Sequence, residues 1–170
     1  MQTDRLDLLL LHRPSPFFNA EEVAKAFEFL KEEGKVLNFG VSNFTPGQFD
    51  VLQSYLPEPL VTNQVEMSPF CLEHFENGNI DFFQKHKIKP MAWSPLGGGD
   101  IFHTKDKETI DCLKVLNRIG DELNCGVDQV IYAWLLKHPV GICPVIGTSK
   151  IERVNSAAKS LEINMDLEQW

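Results

Sequence analysis

The chain has 170 residues, of which 43% are hydrophobic and 24% charged, and its formal net charge is -8. This composition is typical of one globular domain, here covering residues 1–170, and the acidic charge argues against nucleic acid as a partner. No apolar run approaches the ~20 residues that cross a bilayer, so we expect no membrane partner. The four cysteines form no CxxC pair, and the first residues, MQTDRLD, lack the basic start and apolar run of a signal peptide. We therefore expect a cytoplasmic protein without a metal site.

Five apolar segments alternate with helical patterns, which is typical of a parallel α/β sheet. The first, Leu6–Leu11, contains four consecutive leucines and ends at His12. Such a run suits a strand that is covered on both faces. The other strands are expected at 36–41, 60–66, 89–93 and 141–146.

Helices are expected between these strands because cap residues and apolar periodicity coincide. Asn19 is placed to cap the first helix, which Gly34 ends, and Thr45 with Gln48 forms a capping box for the second. The remaining helices are predicted at 80–87, 107–123, 128–137 and 151–159, and three glycines start a flexible loop at 97–105.

Two layouts satisfy this alternation: an open doubly wound sheet and a (β/α)₈ barrel. No GxGxxG sequence opens a helix, which weakens the case for a dinucleotide-binding domain of the doubly wound type. Every strand ends in polar residues, and the carboxyl ends of parallel strands share one rim. We therefore expect a pocket whose floor includes His12, Ser42, Asn43, Gln64, Ser94 and Thr148.

Five blocks give the chain a family likeness: LDLLLLHRP, GKVLNFGVSNF, VTNQVEMSP, MAWSPLGGG and PVIGTSKIERV. In this order they resemble the aldo-keto reductase family, above all its YdhF-like branch of bacterial oxidoreductases. The resemblance implies a (β/α)₈ TIM barrel that holds NADPH without a Rossmann domain. It also implies reversible hydride transfer that converts an aldehyde or ketone to an alcohol, so the expected partner is a small-molecule carbonyl substrate.

The resemblance assigns roles by position. His12 matches the catalytic-site histidine that orients the carbonyl, and Trp93 matches the aromatic residue that stacks on the nicotinamide. The nicotinamide carboxamide would be held by Ser42, Asn43 and Gln64. The pyrophosphate loop would be formed by Ser94, Leu96 and Gly97. Thr148 and Arg153 would hold the 2′-phosphate. Gly147 would belong to the same cofactor site, at a position where many relatives carry a lysine.

The same comparison implies an incomplete barrel, because the five strands match the family's fourth to eighth. The catalytic aspartate, tyrosine and lysine belong to the earlier strands, and neither Tyr55 nor Tyr132 matches those motifs. A complete barrel typically needs about 250 residues. We therefore expect weak or no activity from the chain alone, and an open edge at 6–11 that favours self-association. Two alternatives stay open: a cofactor-binding regulatory protein and a non-functional truncated product.

Overall fold

The computed structural model describes residues 2–170 as one sheet of five parallel strands flanked by helices. Each strand pairs with the next one in the chain, in the order β1-β2-β3-β4-β5. A doubly wound sheet would reverse its strand order at a switch point, and no reversal occurs among the described strands. The strands are β1 (Leu6–Leu11), β2 (Val36–Ser42), β3 (Asn63–Glu66), β4 (Met91–Trp93) and β5 (Cys143–Pro144). The architecture is therefore that of an incomplete (β/α)₈ barrel.

Seven α-helices connect and follow the strands in the described part of the chain. They are α1 (Ala20–Glu32), α2 (Pro46–Gln53), α3 (Glu73–Glu76), α4 (Asn79–His86), α5 (Lys107–Leu123), α6 (Val127–Lys137) and α7 (Ile151–Lys159). The predicted caps are confirmed: Asn19 Oδ1 accepts from the backbone N–H of Glu21 and Glu22, and Thr45 forms its capping box with Gln48. No described helix is long and apolar enough to cross a bilayer.

Three strands are shorter than the sequence predicted. The pattern suggested strands at 60–66, 89–93 and 141–146, but β3, β4 and β5 have only four, three and two residues. Pro90 lacks the N–H that a longer ladder would use. The glycine segment, expected as a flexible loop, instead forms 3₁₀ turns over Gly97–Phe102, and the short helix α3 was not predicted.

The main core lies between the sheet and the helices. Val41, Val65 and Ala92 are fully buried on the helix side of three adjacent strands, and Phe27 of α1 stacks on Phe39 at 4.0 Å between ring centroids. The four leucines of β1 are only half-buried, so the expectation that they are covered on both faces was wrong. β1 is an edge strand with one neighbour, as the open-edge prediction required. Self-association across this edge stays a prediction, which sedimentation velocity can check.

Asn63 connects this core to the loop that follows β2. Its side chain is 1% exposed, and its Nδ2 donates to the carbonyl oxygen of Phe44 at 2.7 Å while its Oδ1 accepts from the Phe44 N–H at 3.4 Å. One buried amide therefore satisfies both backbone groups of a residue in the loop.

We expect Asn63→Ala to lower the free energy of unfolding by about 2 kcal/mol, because both polar groups of the buried Phe44 backbone lose their partner. Urea unfolding followed by circular dichroism measures this change. The control is Asn117→Ala, which removes an exposed amide whose Nδ2 donates to the Leu113 carbonyl at 2.7 Å. Equal losses in the two variants would contradict the role given to Asn63.

Candidate functional site at the carboxyl ends of the strands

The register of the sheet brings two predicted residues, Ser42 and Gln64, to one level with Met91. Ser42 lies opposite Gln64, and Gln64 lies opposite Met91, so the three side chains leave the sheet on the same face. The Ser42 hydroxyl donates to the Gln64 carbonyl oxygen at 2.9 Å. The Gln64 side-chain nitrogen has only a weak contact with the Met91 sulfur at 4.0 Å, so its amide is available to a ligand.

A chain of hydrogen bonds fixes the Trp93 indole. The Trp93 Nε1–H donates to Asn43 Oδ1 at 2.9 Å. The Asn43 Nδ2 group in turn donates to Ser42 Oγ at 3.0 Å and to the His12 carbonyl oxygen at 3.3 Å. The ends of β1, β2 and β4 are thereby joined through one amide, and the half-buried indole is oriented without help from a ligand. We call Ser42, Asn43 and Trp93 the strand-end cluster.

Two residues at this rim have backbone conformations that side chains seldom adopt. Asn43 has a φ of 60° and Ser94 a φ of 47°, both in the left-handed region. Asparagine tolerates this region better than serine does, and such conformations concentrate at functional sites. Both residues directly follow a strand, where the chain turns over the rim.

Beside Trp93 the rim continues into a cleft of about 680 Å³. This volume is within the usual range for small-molecule sites. Five predicted cofactor residues line the cleft: Ser94, Leu96, Gly147, Thr148 and Arg153. Other described residues that line it are Pro95, Gly98, Gly99, Phe102, His103, Asp128, Tyr132 and Val145.

The predicted residues thus fall into two adjoining groups. His12, Ser42, Asn43, Gln64 and Trp93 belong to the strand ends, and the His12 side chain is exposed there. Gly97 does not line the cleft; its N–H donates to the Ser94 carbonyl oxygen at 2.8 Å and closes the turn, while the next two glycines face the cleft. The roles assigned to all these residues stay predictions.

Asp128 and Tyr132, one turn apart on α6, were not predicted as site residues. Asp128 Oδ2 accepts from the Ser156 hydroxyl at 3.0 Å. Burial raises the pKa of the Tyr132 phenol, and the Asp128 charge raises it further. An acidic residue in the first turn of a helix is common, so no sequence pattern indicated that Asp128 faces a cleft.

We expect Asn43→Ala and Asn43→Gly both to weaken the near-UV circular dichroism signal of Trp93, because each removes the indole's acceptor. Alanine also resists the φ of 60°, whereas glycine accepts it. Asn43→Ala should therefore be less stable than Asn43→Gly by about 1 kcal/mol in urea unfolding. Equal stabilities would show that the left-handed backbone is not retained.

Comparison with known proteins is consistent with this geometry. The family model described as "Aldo/keto reductase family" matches residues 1–170. Oxidoreductase YdhF of Escherichia coli is 48% identical over 172 residues, and 6-dehydroglucose reductase of Agrobacterium fabrum is 46% identical over 170; each match covers 100% of this chain. A crystal structure of an aldo-keto reductase from Klebsiella pneumoniae in complex with NADPH superposes with a TM-score of 0.84 at 27% identity, over 99% of this chain and 57% of the other.

The chain spans 57% of the YdhF sequence and 56% of the Agrobacterium enzyme, a little over half the length of each. The strand order, the matched family model and these two relatives agree with one another. The chain belongs to the aldo/keto reductase family.

Proposed function

We propose that this chain supplies the cofactor-binding side of an NADP(H)-dependent oxidoreductase that reversibly reduces an aldehyde or ketone to an alcohol. The proposal rests on one observation: the strand-end cluster adjoins the 680 Å³ cleft. Trp93 of the cluster is followed directly by Ser94, which lines the cleft together with Arg153. Amides, a flat aromatic ring and a guanidinium therefore follow one another along a single rim. This is the order in which a nicotinamide dinucleotide phosphate presents its carboxamide, its ring and its phosphates.

The strand ends suit the nicotinamide. A carboxamide offers both a donor and an acceptor, and the Gln64 amide has both free apart from its contact with Met91. Asn43 uses its two N–H groups on Ser42 and His12, but Oδ1 accepts only from Trp93 and keeps a second lone pair. The fixed Trp93 ring offers a face for stacking. A nicotinamide bound there supplies the hydride, and these side chains decide which of its faces is covered.

The other end of the cleft suits phosphate. Arg153 lies in the first turn of α7, and its exposed guanidinium can form paired hydrogen bonds with phosphate oxygens. The Thr148 hydroxyl oxygen accepts from the Lys150 N–H at 3.2 Å, so its proton remains available to an anion. Gly147 brings no charge, which leaves Arg153 as the principal attraction for a 2′-phosphate. The preference for NADPH is part of the proposal.

His12 completes the proposal at the substrate end. It follows β1 directly, and its carbonyl oxygen is bonded to Asn43, which places it next to the strand-end cluster. A histidine there would orient the substrate carbonyl. Neither described tyrosine is placed to donate the proton beside it: Tyr132 lines the cleft, and Tyr55 is an exposed residue just after α2.

The first prediction concerns binding. NADPH should quench the fluorescence of Trp93 saturably in the 170-residue chain, and Trp93→Phe should abolish the quenching although Trp134 and Trp170 still emit. Arg153→Gln should weaken NADPH binding by about tenfold, since hydrogen bonds to a charged group are worth about 1.5–3 kcal/mol. The matched control is Arg118→Gln, because Arg118 is an exposed arginine of α5 that does not line the cleft. A folded chain that shows no quenching would contradict the proposal.

The second prediction concerns turnover. General acid catalysis is typically worth 10²–10⁴-fold, so the chain alone should oxidise NADPH with a carbonyl substrate more slowly than complete family members by about that factor. NADPH absorbance measures the rate, with His12→Ala as the comparison. Binding without any turnover would favour the alternative of a cofactor-binding regulatory protein. Turnover at the rate of complete family members would contradict the prediction that the described site lacks a proton donor.

A further inference from the structure

The cleft is lined by an acidic and a basic side chain. Among the lining residues whose side chains the structure describes, Asp128 and Arg153 carry a full charge at neutral pH, and they have opposite signs. Arg153 is exposed, whereas Asp128 is half-buried. The aspartate is therefore less screened by water than the arginine.

The Asp128 carboxylate is held in place and keeps its charge uncompensated. The Ser156 hydroxyl donates to its Oδ2 at 3.0 Å, and the Ser156 carbonyl oxygen accepts from Gln129 Nε2 at 2.9 Å. No ion pair involves Asp128 within residues 2–170. Burial raises the pKa of the Cys125 thiol and of the Tyr132 phenol, and the nearby Asp128 charge raises both pKa values further.

A 2′-phosphate carries about -1.5 to -2 charges at neutral pH. Arg153 attracts this charge and Asp128 repels it, wherever in the cleft the phosphate lies. Gly147 adds no cation that would tip the balance. NADH lacks the 2′-phosphate, so it is attracted less by Arg153 and repelled less by Asp128.

We propose that Asp128 is a specificity-determining residue that reduces the preference of this cleft for NADPH, so that NADH is accepted as well. The inference rests on the proposed function, since it concerns the cofactor of that same site. It assigns Asp128 no part in the chemical step.

The test is the ratio of the NADH to the NADPH dissociation constant, measured by isothermal titration calorimetry for each variant. The ratio cancels every contact that the two cofactors share and isolates the 2′-phosphate. Asp128→Asn keeps an oxygen that accepts from Ser156 but removes the charge. We expect it to raise the ratio about fivefold, as removal of a unit charge a few ångströms away in a watery site implies.

Two further variants sharpen the test. Asp81→Asn changes the net charge equally, but this exposed residue of α4 does not line the cleft, so the ratio should stay the same. Arg153→Gln should lower the ratio, and the double variant Asp128→Asn/Arg153→Gln should return it close to the original value.

The effect of Asp128→Asn should shrink when NaCl is raised from about 0.01 M to about 1 M, because the Debye length falls from about 30 Å to about 3 Å. A purely structural role of Asp128 would not respond to salt in this way. Equal changes in the affinity for both cofactors, or an unchanged ratio, would overturn the inference while the proposed function stands. Failure of the unaltered chain to bind either cofactor would overturn both.

Discussion

The parallel register of β2, β3 and β4 is the constraint on which the candidate site depends. It sets Ser42, Gln64 and Met91 side by side on one face, although they are separated by more than twenty residues each along the chain. A shift of one residue would turn every side chain to the opposite face. Gln64 would then point into the helix-side core, where Asn63 now lies. The two neighbouring amides therefore have different roles: Asn63 forms hydrogen bonds with the Phe44 backbone, whereas Gln64 faces the rim.

Local features of the fold were predictable because they depend on neighbouring residues. Asn19 and Thr45 cap their helices as their spacing indicated, and the strand–helix alternation gave the element order. The limits of β5 and the burial of β1 depend on distant partners. Leu8 and Leu10 look like fully covered residues, but they are half-buried because β1 is at the edge of the sheet. No local pattern reveals that position.

The site residues could be predicted only where the sequence resembles the family's motifs. The positions of Trp93 and Arg153 were inferred in this way. In the structure Trp93 lies beside the cleft and Arg153 lines it. Asp128 was missed because its surroundings arise only when α6 packs against α7, which brings Ser156 to it from 28 residues away. The left-handed backbone of Ser94 was equally hidden, since serine has no special preference for a φ of 47°.

The strand ends and the cleft are stabilised by different contacts, and this separation has a consequence for specificity. Trp93 is oriented by Asn43, whose remaining bonds run to Ser42 and the main chain of His12, so the ordering of the ring is completed when the sheet folds. A ligand then loses less free energy in fixing its own partners. The charges at the far end belong instead to α6 and α7, which share no hydrogen bond with this cluster. Substitutions there can therefore alter which nucleotide is bound while the indole face stays in position.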